Sequence, residues 1–136
     1  MAILGAGNPV GGSNPAGTGG GLNVIEDRVY AYSGSINVDT DETTCLEFNT
    51  MQQLITGKFI PGSHAGESAD FVWRLYLNDQ VVYSIMFSGT YHDFLMFSNA
   101  LEIVIPGDSR VKVTMQCTTA DQDDDWTNVF TGQILQ

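Results

Sequence analysis

Eight short runs of this chain alternate apolar and polar residues with a period of two, and no stretch carries a convincing helical repeat. Successive side chains of a β-strand point to opposite faces, so such a run has one apolar and one polar face. Strands of that kind bury one face and wet the other, which is the habit of antiparallel sheets packed face to face. The runs are 29–38, 43–50, 54–60, 71–77, 81–87, 101–105, 111–117 and 126–134. In the first, Tyr30, Tyr32, Ile36 and Val38 share a face. In the second, Leu46 and Phe48 oppose Cys45, Glu47 and Asn49. Phe71, Trp73, Leu75 and Leu77 form one row, and Val81, Tyr83, Ile85 and Phe87 another. Val111, Val113, Met115 and Cys117 line a third, and Trp126, Phe130 and Ile134 a fourth. Only 50–53 has the look of a helical turn.

Turn chemistry separates the runs. Asn78-Asp79 sits between two alternating stretches, and both residue types tolerate the left-handed backbone that a two-residue hairpin needs. Pro61-Gly62 and Pro106-Gly107-Asp108 read as stops. Eight strands in this length predict an all-β, antiparallel, eight-stranded jelly-roll sandwich with a flexible N-terminal arm. An immunoglobulin-like sandwich is the alternative, and the missing Cys…Trp…Cys core spacing counts against it.

The division is 1–24 as the Gly-rich arm and 25–136 as the sandwich. Residues 1–24 hold eight of the fifteen glycines and no charged side chain. Glycine loses the most backbone freedom on ordering, and no periodic apolar pattern offsets that loss. As a free coil the arm spans roughly 27 Å, and fully stretched roughly 80 Å, enough to touch a neighbouring molecule. Ile3, Leu4 and Val10 are, apart from Met1, its only sizeable apolar side chains before residue 21, and they are expected to anchor it to a partner. Phe94, Leu95, Met96 and Phe97 form an apolar run outside the clearest strands. They are read as core filling or as a subunit contact, since Phe and Met are enriched at interfaces.

Charge narrows the partners. The net charge is −11, from 16 acidic and 5 basic residues, and the basic residues do not cluster. Nucleic-acid binders neutralise phosphates with Lys and Arg, so no nucleic acid is expected, and the field disfavours anionic membranes. No stretch approaches the ~18 apolar residues of a membrane span, so no membrane is expected either. The start of the chain shows no signal-peptide pattern, which predicts synthesis in a cytoplasm. Cys45 and Cys117 sit in strand patterns and are expected to be buried, reduced thiols.

Candidate chemistry is sparse, and no catalytic, cofactor-binding or metal residue is assigned. Gly5-Ala6-Gly7 opens like a dinucleotide-binding turn, but it lacks the preceding strand, and Pro9 and further glycines replace the helix. Gly62-Ser63-His64-Ala65-Gly66 has histidine where a nucleophile elbow needs serine. His92-Asp93 is adjacent in sequence and lacks an activated nucleophile. The loop 121–125 has four aspartates but neither the Gly nor the Glu of an EF-hand; with Asp39 and Asp41 it is a candidate cation site only of another kind.

The motifs LEFNT, ITGKFIPG, WRLYLNDQVV, LEIVIPGDSRVKV and VFTGQIL, in that order over about 28–136, resemble two groups. The turn before a Val-x-Val strand and the final Phe-x-Gly-x-Ile strand are similar to tumour-necrosis-factor/C1q-like trimeric jelly rolls. The set resembles still more the small jelly-roll proteins that decorate or cement capsids of tailed bacteriophages. The arm lacks collagen's Gly-X-Y period, so it is no collagen stalk. The resemblance implies a non-enzymatic virion structural protein, a homotrimer on the outer capsid surface, whose partner is the major capsid protein or another virion protein. The alternative is a jelly-roll module for a glycan or host receptor, with Tyr91, His92, Asp93 and Trp126 in its binding loops.

Overall fold

The structure, a computed structural model, describes residues 21–63, 69–87 and 101–135. These residues form ten strands and no helix. They are β1 (Asn23–Ile25), β2 (Arg28–Tyr32), β3 (Ile36–Val38), β4 (Thr43–Asn49), β5 (Ile55–Ser63), β6 (Phe71–Leu77), β7 (Gln80–Phe87), β8 (Leu101–Ile105), β9 (Arg110–Cys117) and β10 (Asp124–Ile134). One sheet runs β1-β2-β10-β5-β8, with β3 also paired to β10; the other runs β4-β9-β6-β7. Every pairing is antiparallel. The molecule is a β-sandwich.

The count of ten corrects the expected eight, for two physical reasons. The run 29–38 is not one strand. Gly34 takes a left-handed φ of 74°, which a residue with a side chain adopts only with strain, and the chain breaks there into β2 and β3. Both pieces pair with β10, at Tyr32↔Val129 and Ile36↔Trp126, so they make one interrupted strand. The second addition is β1, only three residues long and too short for a period to register. It lies across the boundary assigned between arm and body.

The Gly34 break also shifts the phase. Val29 and Ala31 face the core, while Tyr30 and Tyr32 are 40% and 53% exposed. The expected inward row of Tyr30 and Tyr32 is therefore corrected; Val38, past the break, is buried as expected. A further correction concerns Pro61-Gly62, which does not end its strand: β5 runs on to Ser63. Pro lacks the N–H for a ladder bond. Among the described residues β8 reaches only as far as Phe59, so Pro61 has a described strand neighbour on one side alone, Asn128 of β10. The Asn78-Asp79 hairpin is as expected, with φ of 51° and 71° and Leu77 paired to Gln80.

The core lies between the sheets. Phe48 of β4, Phe59 of β5, Trp73 of β6 and Phe130 of β10 pack ring against ring, with centroids 4.7–6.5 Å apart. A second group joins Phe71, Phe87 and Trp126, each ring centroid 5.2 Å from the Trp126 ring. Asn128 carries polar contacts across this apolar layer. Trp73 Nε1 donates to Asn128 Oδ1 at 2.8 Å; the Asn128 N–H donates to Ser33 Oγ, and the Ser33 N–H donates to the Asn128 carbonyl.

Candidate functional site

The outer face of the larger sheet is set by its register. Paired residues of neighbouring antiparallel strands share a face. Tyr32, Val129 and Ile60 thus form one row across β2, β10 and β5. Tyr30, Thr131, Lys58 and Glu102 form the next, and Arg28, Gln133, Thr56 and Val104 the third. The first row is aromatic and aliphatic; the other two are mixed. A shallow depression lies over them, lined by Arg28, Tyr30, Lys58, Glu102, Thr131 and Gln133. This face holds two of the chain's five basic residues. Its ion pairing is loose: Arg28 Nε is 3.8 Å from Asp27, with both side chains half-exposed or more.

The outer face of the smaller sheet is a polar lattice. Glu42 accepts from Tyr76 Oη and Thr114 Oγ1, each at 2.6 Å, and Arg74 stands 3.5 Å away. Those hydrogen bonds, Thr114 first, hold the Glu42 carboxyl below its usual range. The same bond to Glu42 pushes the Tyr76 hydroxyl up. Lys112 lies over the Tyr76 ring at 4.7 Å, a cation–π contact, and Arg110 pairs with Asp79. These charges are already matched within the sheet.

Beyond this lattice, β7 at the end of the smaller sheet exposes Val81, Val82, Tyr83 and Met86. At one end of the sandwich, Asn37 Nδ2 donates to Asp125 at 3.1 Å and to Asp123 at 3.5 Å. The Asp39 carboxylate accepts from the Asp41 amide. Among the described residues no three His, Cys, Asp or Glu side chains are grouped to hold a metal ion. Cys45 and Cys117 are buried and free, as expected. Desolvation pushes the Cys45 thiol up to about 12 and raises that of Cys117.

The anchor residues Ile3, Leu4 and Val10, the run Phe94, Leu95, Met96 and Phe97, and Tyr91, His64, His92 and Asp93 lie outside the described residues. Trp126 is corrected: it is 1% exposed, packed between Phe71 and Phe87, and cannot line a binding loop. What the sequence reading missed is the pair Tyr30 and Tyr32 on the outer face. Their signal was the glycine at position 34, which allows the register to change phase. Among the described residues no helix is long and apolar enough to cross a membrane. Comparison with protein-family models, with curated proteins and with solved structures returns no match.

Proposed function

We propose that this chain is a non-enzymatic virion structural protein that decorates or cements a phage capsid. In this reading it is a homotrimer on the outer capsid surface that bridges neighbouring subunits of the major capsid protein. The observation that carries the reading is the larger sheet's outer face, where Tyr32, Val129 and Ile60 stand side by side with Tyr30 in the next row. Exposed tyrosines beside half-buried aliphatic groups on one sheet face suit protein contact, because Tyr brings large area at small entropic cost.

The strand pairing supports the jelly-roll form of this reading. β2 and β3 pair with β10, β4 with β9, β5 with β8 and β6 with β7. Those pairs nest around the β6–β7 hairpin, as when one long hairpin is rolled into two sheets. Charge supports the outer surface: a chain at −11 suits the outside of a shell better than the side that holds nucleic acid. The test is the protein composition of purified source particles. The reading expects this chain in fixed stoichiometry with the major capsid protein, and a particle lacking it refutes the reading.

A further inference from the structure

Sheet edges are where a β-protein is most open to other chains, because an edge strand carries unpaired N–H and C=O groups along its free side. The strands at the sheet ends are β1, β8, β4 and β7. Three of them are blunted. β1 has three residues; β8 has five and carries Glu102; β4 carries Glu47 and an irregularity between Thr44 and Leu46. β7 is different. Its eight residues, Gln-Val-Val-Tyr-Ser-Ile-Met-Phe, include no charge and no proline. Among the described residues it pairs only with β6. Its bulge falls at Val81 and Val82, which leaves Tyr83 to Phe87 in regular register.

We propose that β7 is a self-association edge, at which two copies of this chain pair antiparallel about a two-fold axis. The two four-stranded sheets then become one continuous sheet. A second copy is the occupant for three reasons. The first is self-complementarity. With the axis at Ser84, each Ser84 faces its counterpart and Tyr83 faces Ile85 of the second copy, all within the regular stretch. An isologous contact requires a strand that matches itself in this way.

The second reason is charge. Copies at −11 repel one another over most of their surface, and β7 is a neutral stretch whose flanking Asp79 is already paired with Arg110. The third is the state of the inner row. Tyr83 stands opposite Leu75 on the core side and touches the Trp73 ring, yet it is 39% exposed because the sheet ends there. Ile85 of a second copy continues that row and covers it. Val81, Val82 and Met86, at 51%, 48% and 51% exposed, lose water in the same step.

This inference does not depend on the capsid reading. Its test is the mass of the full chain by sedimentation equilibrium, up to the highest soluble concentration. The wild type is expected to reach an even number of chains. Ser84→Lys, which sets two ammonium groups against each other at the axis, is expected to halve that mass with an unchanged circular dichroism spectrum. An unchanged mass in Ser84→Lys, or a wild type with an odd number of chains throughout, overturns the seam. A mass of three chains in Ser84→Lys leaves the trimer standing, and a mass of one removes the trimer but keeps the seam. Should Ser84→Lys not fold, Ser84→Cys carries the test. Mild oxidation is expected to give a covalent dimer through position 84, since Cys45 and Cys117 are buried; no dimer overturns the seam.

Discussion

Asn128→Ala attacks the Trp73–Asn128 side-chain hydrogen bond, which spans the aromatic core. Asn128 is 1% exposed, and its Oδ1 accepts from Trp73 Nε1 at 2.8 Å; Trp73 is itself 1% exposed. Alanine leaves the indole N–H buried without its acceptor, at a cost of about 1–3 kcal/mol. The lost carboxamide opens a void of about 40 Å³, which at roughly 24 cal/mol per Å³ adds about 1 kcal/mol. The expected loss is therefore about 2–4 kcal/mol, a large part of the roughly 5–15 kcal/mol that holds a domain of this size. Urea unfolding followed by tryptophan fluorescence reads it as a lower midpoint at unchanged slope. A cycle with Trp73→Phe isolates the bond, and a coupling of about 1–2 kcal/mol is expected. Asn128→Asp adds a pH test. Burial raises that carboxyl's folded pKa above its unfolded value of about 3.9, so the variant is most stable below that value and loses stability as pH rises from there through the raised folded pKa. Asn128→Ala within about 0.5 kcal/mol of wild type, or strict additivity with Trp73→Phe, refutes the account of the bridge.

Three other perturbations have defined outcomes. Gly57 and Gly132 lie opposite each other in β5 and β10, and a Cβ on Gly57 would stand 2.4 Å from the Thr131 carbonyl oxygen; Gly57→Ala is expected to cost at least about 2 kcal/mol in urea unfolding, because the clash is with backbone. Both thiols are expected to resist a disulfide-exchange reagent at pH 8 and to react at once in denaturant, since burial holds the Cys45 thiol at about 12; fast labelling of the native protein contradicts this. The Glu42 carboxyl is held below its ordinary value of about 4.5, so its stabilisation is complete above that value and lost as pH falls through the lowered folded one. Glu42→Gln is thus expected to be up to about 1 kcal/mol less stable at pH 7, as befits a partly exposed group, and to match wild type in strong acid. A constant difference at all pH values contradicts that linkage.

Much of the fold was legible because it rests on local chemistry. Phe71, Trp73 and Leu75, and Val111, Val113 and Met115, alternate cleanly and are buried as their period requires. Asn78-Asp79 named its own hairpin, since few residues accept left-handed backbone twice in a row. The failures share a cause, which is that pairing decides what period alone cannot. Tyr30 and Tyr32 outweigh Val29 and Ala31 in apolar mass, yet the register with β10 turns the smaller pair inward. Pro61 looks like a stop until the reach of β8 is known. The outer aromatic face is assembled from β2, β10 and β5, which are far apart in sequence, so no linear pattern contains it. The same holds for the Trp73–Asn128 bridge, whose partners are 55 residues apart.

The central claim is that this chain binds a capsid from outside. The most direct measurement is quantitative cosedimentation of the purified full chain with source heads stripped of it. The account predicts saturable binding at a fixed copy number per capsid subunit, and a marked loss of binding when residues 1–20 are deleted. No binding of the full chain, at concentrations where it remains folded and soluble, contradicts the account.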